Sequence, residues 1–158
     1  MAEAVWQTDC EACFGLCCIA LAHRAEAGFP EAKPPLTPCQ HLSNDFKCAV
    51  FGERAEAGYQ ICDAYDCYGA GPAITSLMKR SSPEQSDTLL NGFLELARLR
   101  MLITALERRE EGGLHVLIMA LDEAAGKAAE TGNVHISPEV SALMRSHEAV
   151  ISDILSKL

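Results

Sequence analysis

Basic residues are scarce in this chain: 13 Lys and Arg stand against 22 Asp and Glu, for a net charge of −9. The acidic excess runs through both halves, so no Lys/Arg cluster exists to grip a phosphate backbone or an anionic membrane surface. No nucleic-acid partner is expected. Long apolar runs are missing as well, and no segment approaches the roughly 20 apolar residues of a membrane span. The N-terminus "MAEAVWQTDC" has neither the basic n-region nor the apolar h-region of a secretory signal. The expected address is therefore the cytoplasm, with no membrane partner. There is no internal repeat and no low-complexity tract.

Cysteine is absent after position 67, yet all eight cysteines lie between Cys10 and Cys67. Composition thus divides the chain into a cysteine-rich region, 1–80, and a helical region, 81–158. At 158 residues with 49% hydrophobic content, the protein can bury a core without covalent cross-links. In a reducing cytoplasm, dense cysteine points to metal binding or catalysis before disulfides.

The first region is interrupted by "GFPEAKPPLTPC", "FGERAEAGYQ" and "YGAGPA", which signal loops and turns. The second reads as helices. Ser82 with Pro83, Glu84 and Asp87, and Ser137 with Pro138 and Glu139, are two helix starts, each an N-cap serine ahead of a first-turn proline. With "EEGG" and "ETGN" as breaks, they predict helices near 83–109, 114–130 and 138–158. The last has Val140, Leu143, Met144, His147, Val150, Ile151, Ile154, Leu155 and Leu158 on one stripe. The expected fold is mainly α: a loop-rich, metal-organised first half packed on a bundle of about three helices. Spare apolar surface would be taken by the cysteine half, a protein partner or a second copy in a homodimer.

Spacing narrows the role of the thiols. In a helix, Cys10, Cys13 and Cys17 would share one face and Cys18 would point about 100° away. In a turn, "CEAC" would let both sulfurs reach one tetrahedral ion. Either geometry gathers thiols, and the pairs Cys39/Cys48 and Cys62/Cys67 in turn-rich segments can complete one site or two. Candidate metal ligands are Cys10, Cys13, Cys17, Cys18, Cys39, Cys48, Cys62 and Cys67, with zinc or an iron–sulfur cluster as cofactor. Adjacent Cys17 and Cys18 suit two roles better than joint chelation of one ion. Buried apolar-type cysteines and a disulfide set are the alternatives.

The pattern C-x2-C-x3-CC-x20-C-x8-C-x13-C-x4-C resembles the eight-cysteine zinc- or iron-chelating domain family known by its CxxCxxxCC motif. "PCQHLSNDFKCAVFGERAEAGYQICDAYDC" is similar to that family's later half, although the usual Arg-Pro is replaced by Arg54 alone. Through "GLCCIAL", "DFKC" and "DCYGAG" the chain also resembles the cysteine-rich leader of pentapeptide-repeat proteins, without the repeats. The resemblance implies cysteine-based metal binding. A related pattern in flagellin-lysine methylases implies, as an alternative, an iron–sulfur-dependent enzyme or electron carrier that modifies a partner. A disulfide or thiol redox module is the second alternative.

Other groups are weaker candidates. His41 and His23 stand near the cysteines, His147 falls on an apolar stripe, and His115 and His135 lie near helix starts. Asp63 and Asp66 would orient ligands or solvate a turn. Tyr59, Tyr65 and Tyr68 would shield the thiols. "GAGP", Gly69 to Pro72, lacks the Lys-Ser/Thr of a phosphate loop and reads as a chain reversal. No nucleophile elbow or triad spacing supports hydrolase chemistry.

Overall fold

Capping starts the longest helix. In the computed structural model, which describes residues 6–157, the Ser82 amide donates to Gln85 Oε1 at 3.2 Å in a capping box. Pro83–Gln85 makes one 3₁₀ turn, and helix α4 then runs Ser86–Glu107. The other helices, in chain order, are α1 (Leu16–Ala20), α2 (Gln60–Ala64), α3 (Ala70–Met78), α5 (His115–Thr131), α6 (Pro138–Ser146) and α7 (Glu148–Leu155). Among the described residues there is no strand, only the isolated bridges His23–Lys33 and Leu42–Cys48. The fold is mainly α.

The core is built along α4, whose Phe93, Leu96, Ile103 and Leu106 are fully buried. Leu117, Leu121 and Ala125 of α5 and Ile74 of α3 pack against them. At the far end of α5, Gly132 closes the helix at φ +75°, its N–H donating to the Ala128 carbonyl at 2.7 Å. A Cβ on Gly92 would stand 2.0 Å from the Gly132 oxygen, so this crossing is backbone against helix. Only glycine fits at position 92.

Two elements differ from expectation. The predicted helix over 138–158 is broken at His147 (φ −118°, ψ 23°). Its Nδ1 lies 3.0 Å from the Leu143 carbonyl, and its backbone N–H shifts to Met144. That side chain occupies an acceptor that a continuing helix would need. The stripe survives the break, since Ile151 and Ile154 are buried, while Leu158 lies outside the described residues. The second difference is at "GAGP": Tyr68 (φ 49°) and Gly69 (φ 84°) make the reversal, and Ala70 already starts α3 with Pro72 in its first turn. A Cβ on Gly69 would meet the Trp6 backbone at 2.8 Å, so the N-terminal segment passes directly over this turn.

The hydrophobic cluster does not stop at residue 80. Leu16 and Ala20 of α1, Cys67, and Ala70 and Ile74 of α3 belong to the same buried cluster as the long helices. The N-terminal segment is further tied to α4 by buried Arg100, whose guanidinium lies 4.4 Å from the Trp6 ring centroid and pairs with Asp122. The thiol-bearing segments are thereby seated on the helical layer. No described helix is long and apolar enough to cross a membrane.

Candidate metal centre

"CEAC" is a turn rather than a helix. Asp9 Oδ1 accepts the N–H groups of Glu11 (3.0 Å) and Ala12 (3.1 Å), and the Cys13 N–H reaches the Cys10 carbonyl. Gly15, at φ +65°, separates this turn from α1, and a Cβ there would strike Leu42 at 2.6 Å. Cys10 and Cys13 therefore sit on a turn, and Cys17 and Cys18 on the short helix behind it. Lys47 clips the turn to the next segment through the carbonyls of Cys10 (3.3 Å) and Glu11 (2.6 Å).

The segment carrying Cys39 and Cys48 folds back on α1. The Cys39 N–H donates to the Cys18 carbonyl at 2.9 Å, and the Leu42–Cys48 bridge holds the two arms together. Cys62 arrives on α2 and Cys67 at the turn before α3. Seven thiols, all but Cys67, line one cavity of about 370 Å³. Cys67 is buried beside it, where its sulfur and that of Cys13 press on Gly71, 3.4 and 2.9 Å from the position of an added Cβ. All eight cysteines are free thiols. Among the described residues, no three His, Cys, Asp or Glu side chains stand close enough to hold an ion as they are.

Several donors aim at the sulfurs. The Gly71 N–H and the Thr8 hydroxyl each lie 3.4 Å from Cys67 Sγ, and the buried Thr75 hydroxyl donates to Cys13 Sγ at 3.7 Å. The His41 N–H donates to Cys39 Sγ at 3.5 Å. Lys33 is buried with its ammonium on the carbonyls of Ile19, Pro34 and Thr37, and burial lowers its pKa from the ordinary lysine value, offset in part by the neighbouring cysteine sulfurs. Arg54 stacks on Phe51 (4.1 Å), pairs with Asp63 (3.1 Å) and lines the cavity. Its Nε is buried with no partner. A thiolate is the acceptor such a donor lacks, so the donor set and its surroundings suit a thiophilic metal.

Crowding shapes the thiols' acidity. A hydrogen bond from the Cys18 thiol, working against burial, lowers Cys17 to about 7. Cys18 is pushed up strongly by that same bond, by burial and by the charge of Cys17. Burial and the charges of Cys17, Cys39 and Cys48 raise Cys62 to about 11, while burial leads the rise at Cys10 and Cys13. Mutual repulsion of this kind is relieved when a cation enters.

The histidines divide. His41 and His23 line the cavity, His41 edge-on to Tyr59 (5.1 Å) and His23 stacked on Phe29 (4.2 Å). Desolvation, followed by the Lys33 charge, lowers the pKa of buried His23 from the ordinary histidine value. His147 breaks the last helix, and His115 and His135 face solvent. Asp66 holds the turn through the Tyr68 N–H (2.6 Å). Lys33 and Thr75 escaped the sequence reading, because each reaches the thiols only through the tertiary fold.

No family model matches the chain, and no solved structure matches it. Over 100 residues it is 33% identical to the uncharacterized protein YybG of Bacillus subtilis (strain 168). The alignment takes in 60% of this chain and 36% of that relative's length.

Proposed function

We propose that the protein binds metal through its cysteine thiolates, holding zinc or an iron–sulfur cluster in the cytoplasm. The observation that carries this reading is the convergence of seven thiols, from four separate stretches of chain, on one cavity. The buried, unpartnered Arg54 Nε and the amides and hydroxyls directed at sulfur support it, as does the resemblance to the eight-cysteine zinc- or iron-chelating domain family. Zinc would supply cross-linking of the loops; an iron–sulfur cluster would supply a one-electron redox centre. Cys10, Cys13, Cys17, Cys18, Cys39, Cys48, Cys62 and Cys67 are the proposed ligands.

A second reading is an iron–sulfur enzyme or electron carrier acting on a partner. It is favoured by cavity size, since about 370 Å³ far exceeds the room a single ion requires, a water molecule's share of the liquid being about 30 Å³. Anaerobic purification followed by elemental analysis and a visible spectrum distinguishes these readings. Colourless protein with zinc supports a structural site, and brown protein with iron and sulfide supports a cluster. Metal-free protein lacking titratable thiols would instead identify a disulfide or thiol redox module and overturn the metal reading.

A further inference from the structure

The eight thiols are not equally near one another. Cys10 has Cys17, Cys13 and Cys67 as its cysteine neighbours, and the sulfurs of Cys13 and Cys67 meet at Gly71. Cys18, beyond its sequence neighbour Cys17, has Cys48 and Cys39. Cys62 has Cys39 and Cys48 in addition to Cys17. The backbone repeats this division: Cys10 and Cys13 share one turn, whereas Cys39 is bonded to the Cys18 carbonyl. Cys17 neighbours both groups, with Cys10 and Cys13 on one side and Cys18 and Cys62 on the other. The count assigns it, because Cys18, Cys39, Cys48 and Cys62 already make four, whereas Cys10, Cys13 and Cys67 need one more.

We infer that the chain carries two four-cysteine metal centres side by side, one held by Cys10, Cys13, Cys17 and Cys67 and the other by Cys18, Cys39, Cys48 and Cys62. The inference rests on the proposed metal-binding function and gives it a stoichiometry. Four thiolates complete a closed tetrahedral site. The two sets also have different surroundings. The first receives neutral donors at sulfur from Gly71, Thr8 and Thr75. The second has the buried Lys33 ammonium facing Cys39, Cys18 and Cys62, and the same ammonium faces Cys17 at the boundary with the first set. Arg54 faces Cys10, Cys17 and Cys62 and so serves both. Drawing each set together requires side chains on turns and one-turn helices to close, while α4 and α5 stay in place.

Zinc is the probe. Reduced, metal-free protein loaded with excess zinc and freed of unbound ion should show two zinc ions per chain by native mass spectrometry. Cys10→Ser and Cys39→Ser should each retain one, and the double variant none. At one equivalent of zinc, alkylation mapping of the unmutated protein should protect the four cysteines of one set together and leave the other four reactive, a readout that does not depend on how the variants fold. A single zinc per chain, or protection that rises evenly over all eight cysteines, overturns the partition while leaving the metal reading intact. No bound zinc with all eight thiols reactive overturns both the partition and the zinc form of the metal reading.

Discussion

The thiol-bearing segments and the long helices of this protein are ordered by different means. Along α4 and α5, order comes from the burial of Phe93, Leu96, Ile103, Leu117 and Leu121, a non-directional force that tolerates changes of detail. Between Asp9 and Cys67 there is little to bury: Leu16, Ala20, Tyr59 and Cys67 are the buried hydrophobic residues. Shape there depends on single directional contacts, such as Asp9 on its turn, Lys47 on two carbonyls and Lys33 on three. A region built in this way has few contacts to spare. Metal binding would add the cohesion that the helices obtain from hydrocarbon.

Chelation is the strongest way to break the comparison. Structural zinc in small domains contributes an apparent binding energy of about 10–16 kcal/mol, most of which is also folding energy. On the proposed metal reading, chelation should open the segment between His23 and Tyr59 to proteolysis while the far-UV signal of α4 and α5 persists. If all helical signal vanished at the same chelator concentration, the two regions would form one cooperative unit.

Phe93→Ala tests the other side and should cost about 3–5 kcal/mol. Because Phe93, Leu16 and Ala20 share one buried cluster, its thermal melt should take the thiol region down too. Survival of metal binding after the helices have melted would show that the thiol region stands alone.

Gly71→Ala sharpens the boundary between them. Position 71 is helical, so alanine suits its backbone, but the new methyl would stand 2.9 Å from Cys13 Sγ and 3.4 Å from Cys67 Sγ. The crowding should cost about 1–3 kcal/mol and appear mainly as weaker metal affinity in a competition titration. Unchanged affinity would remove Cys13 and Cys67 from the ligand set.

The smallest effect is near the C-terminal end of α7, where hydrogen bonds from Lys157 and Arg109 hold the half-buried Asp153 carboxyl below its usual value. Its stabilising contribution is full above the ordinary carboxylate pKa of about 4 and is lost as pH falls through the lowered folded value. Asp153→Asn should therefore lower Tm slightly at neutral pH and merge with the unmutated protein in acid. A Tm difference that stays constant down to acid pH would count against the ion pair.

How much of this was legible in sequence follows the same divide. Ser82 and Pro83, Ser137 and Pro138, and the glycines of "EEGG" and "ETGN" mark helix starts and stops through local chemistry, and the structure keeps them. His147 gives no such mark, because its break arises from a ring returning to the Leu143 carbonyl. Helix α3 was hidden by Gly69, Gly71 and Pro72, which read as turn residues until burial against α4 and α5 favours a helix. The eight cysteines announce themselves, but the choice between turn and helix for "CEAC" falls to Asp9 and Gly15, and Gly15 acts through Leu42, far along the chain. Lys33 sits in "EAKPPLTP", where nothing local distinguishes it from a solvated loop lysine.

The break at His147 also has a consequence in time. It leaves α7 as an eight-residue helix, well below the roughly 12–15 residues at which an isolated helix becomes even marginally stable. What keeps α7 formed is its seat on α4, through Ile151 and Ile154, together with the pair of Asp153 with Arg109 just beyond the end of α4. Whenever that seat is briefly vacated the helix has no reason to persist, so its amides should exchange with deuterium as one early group, while those of α4 wait for global unfolding.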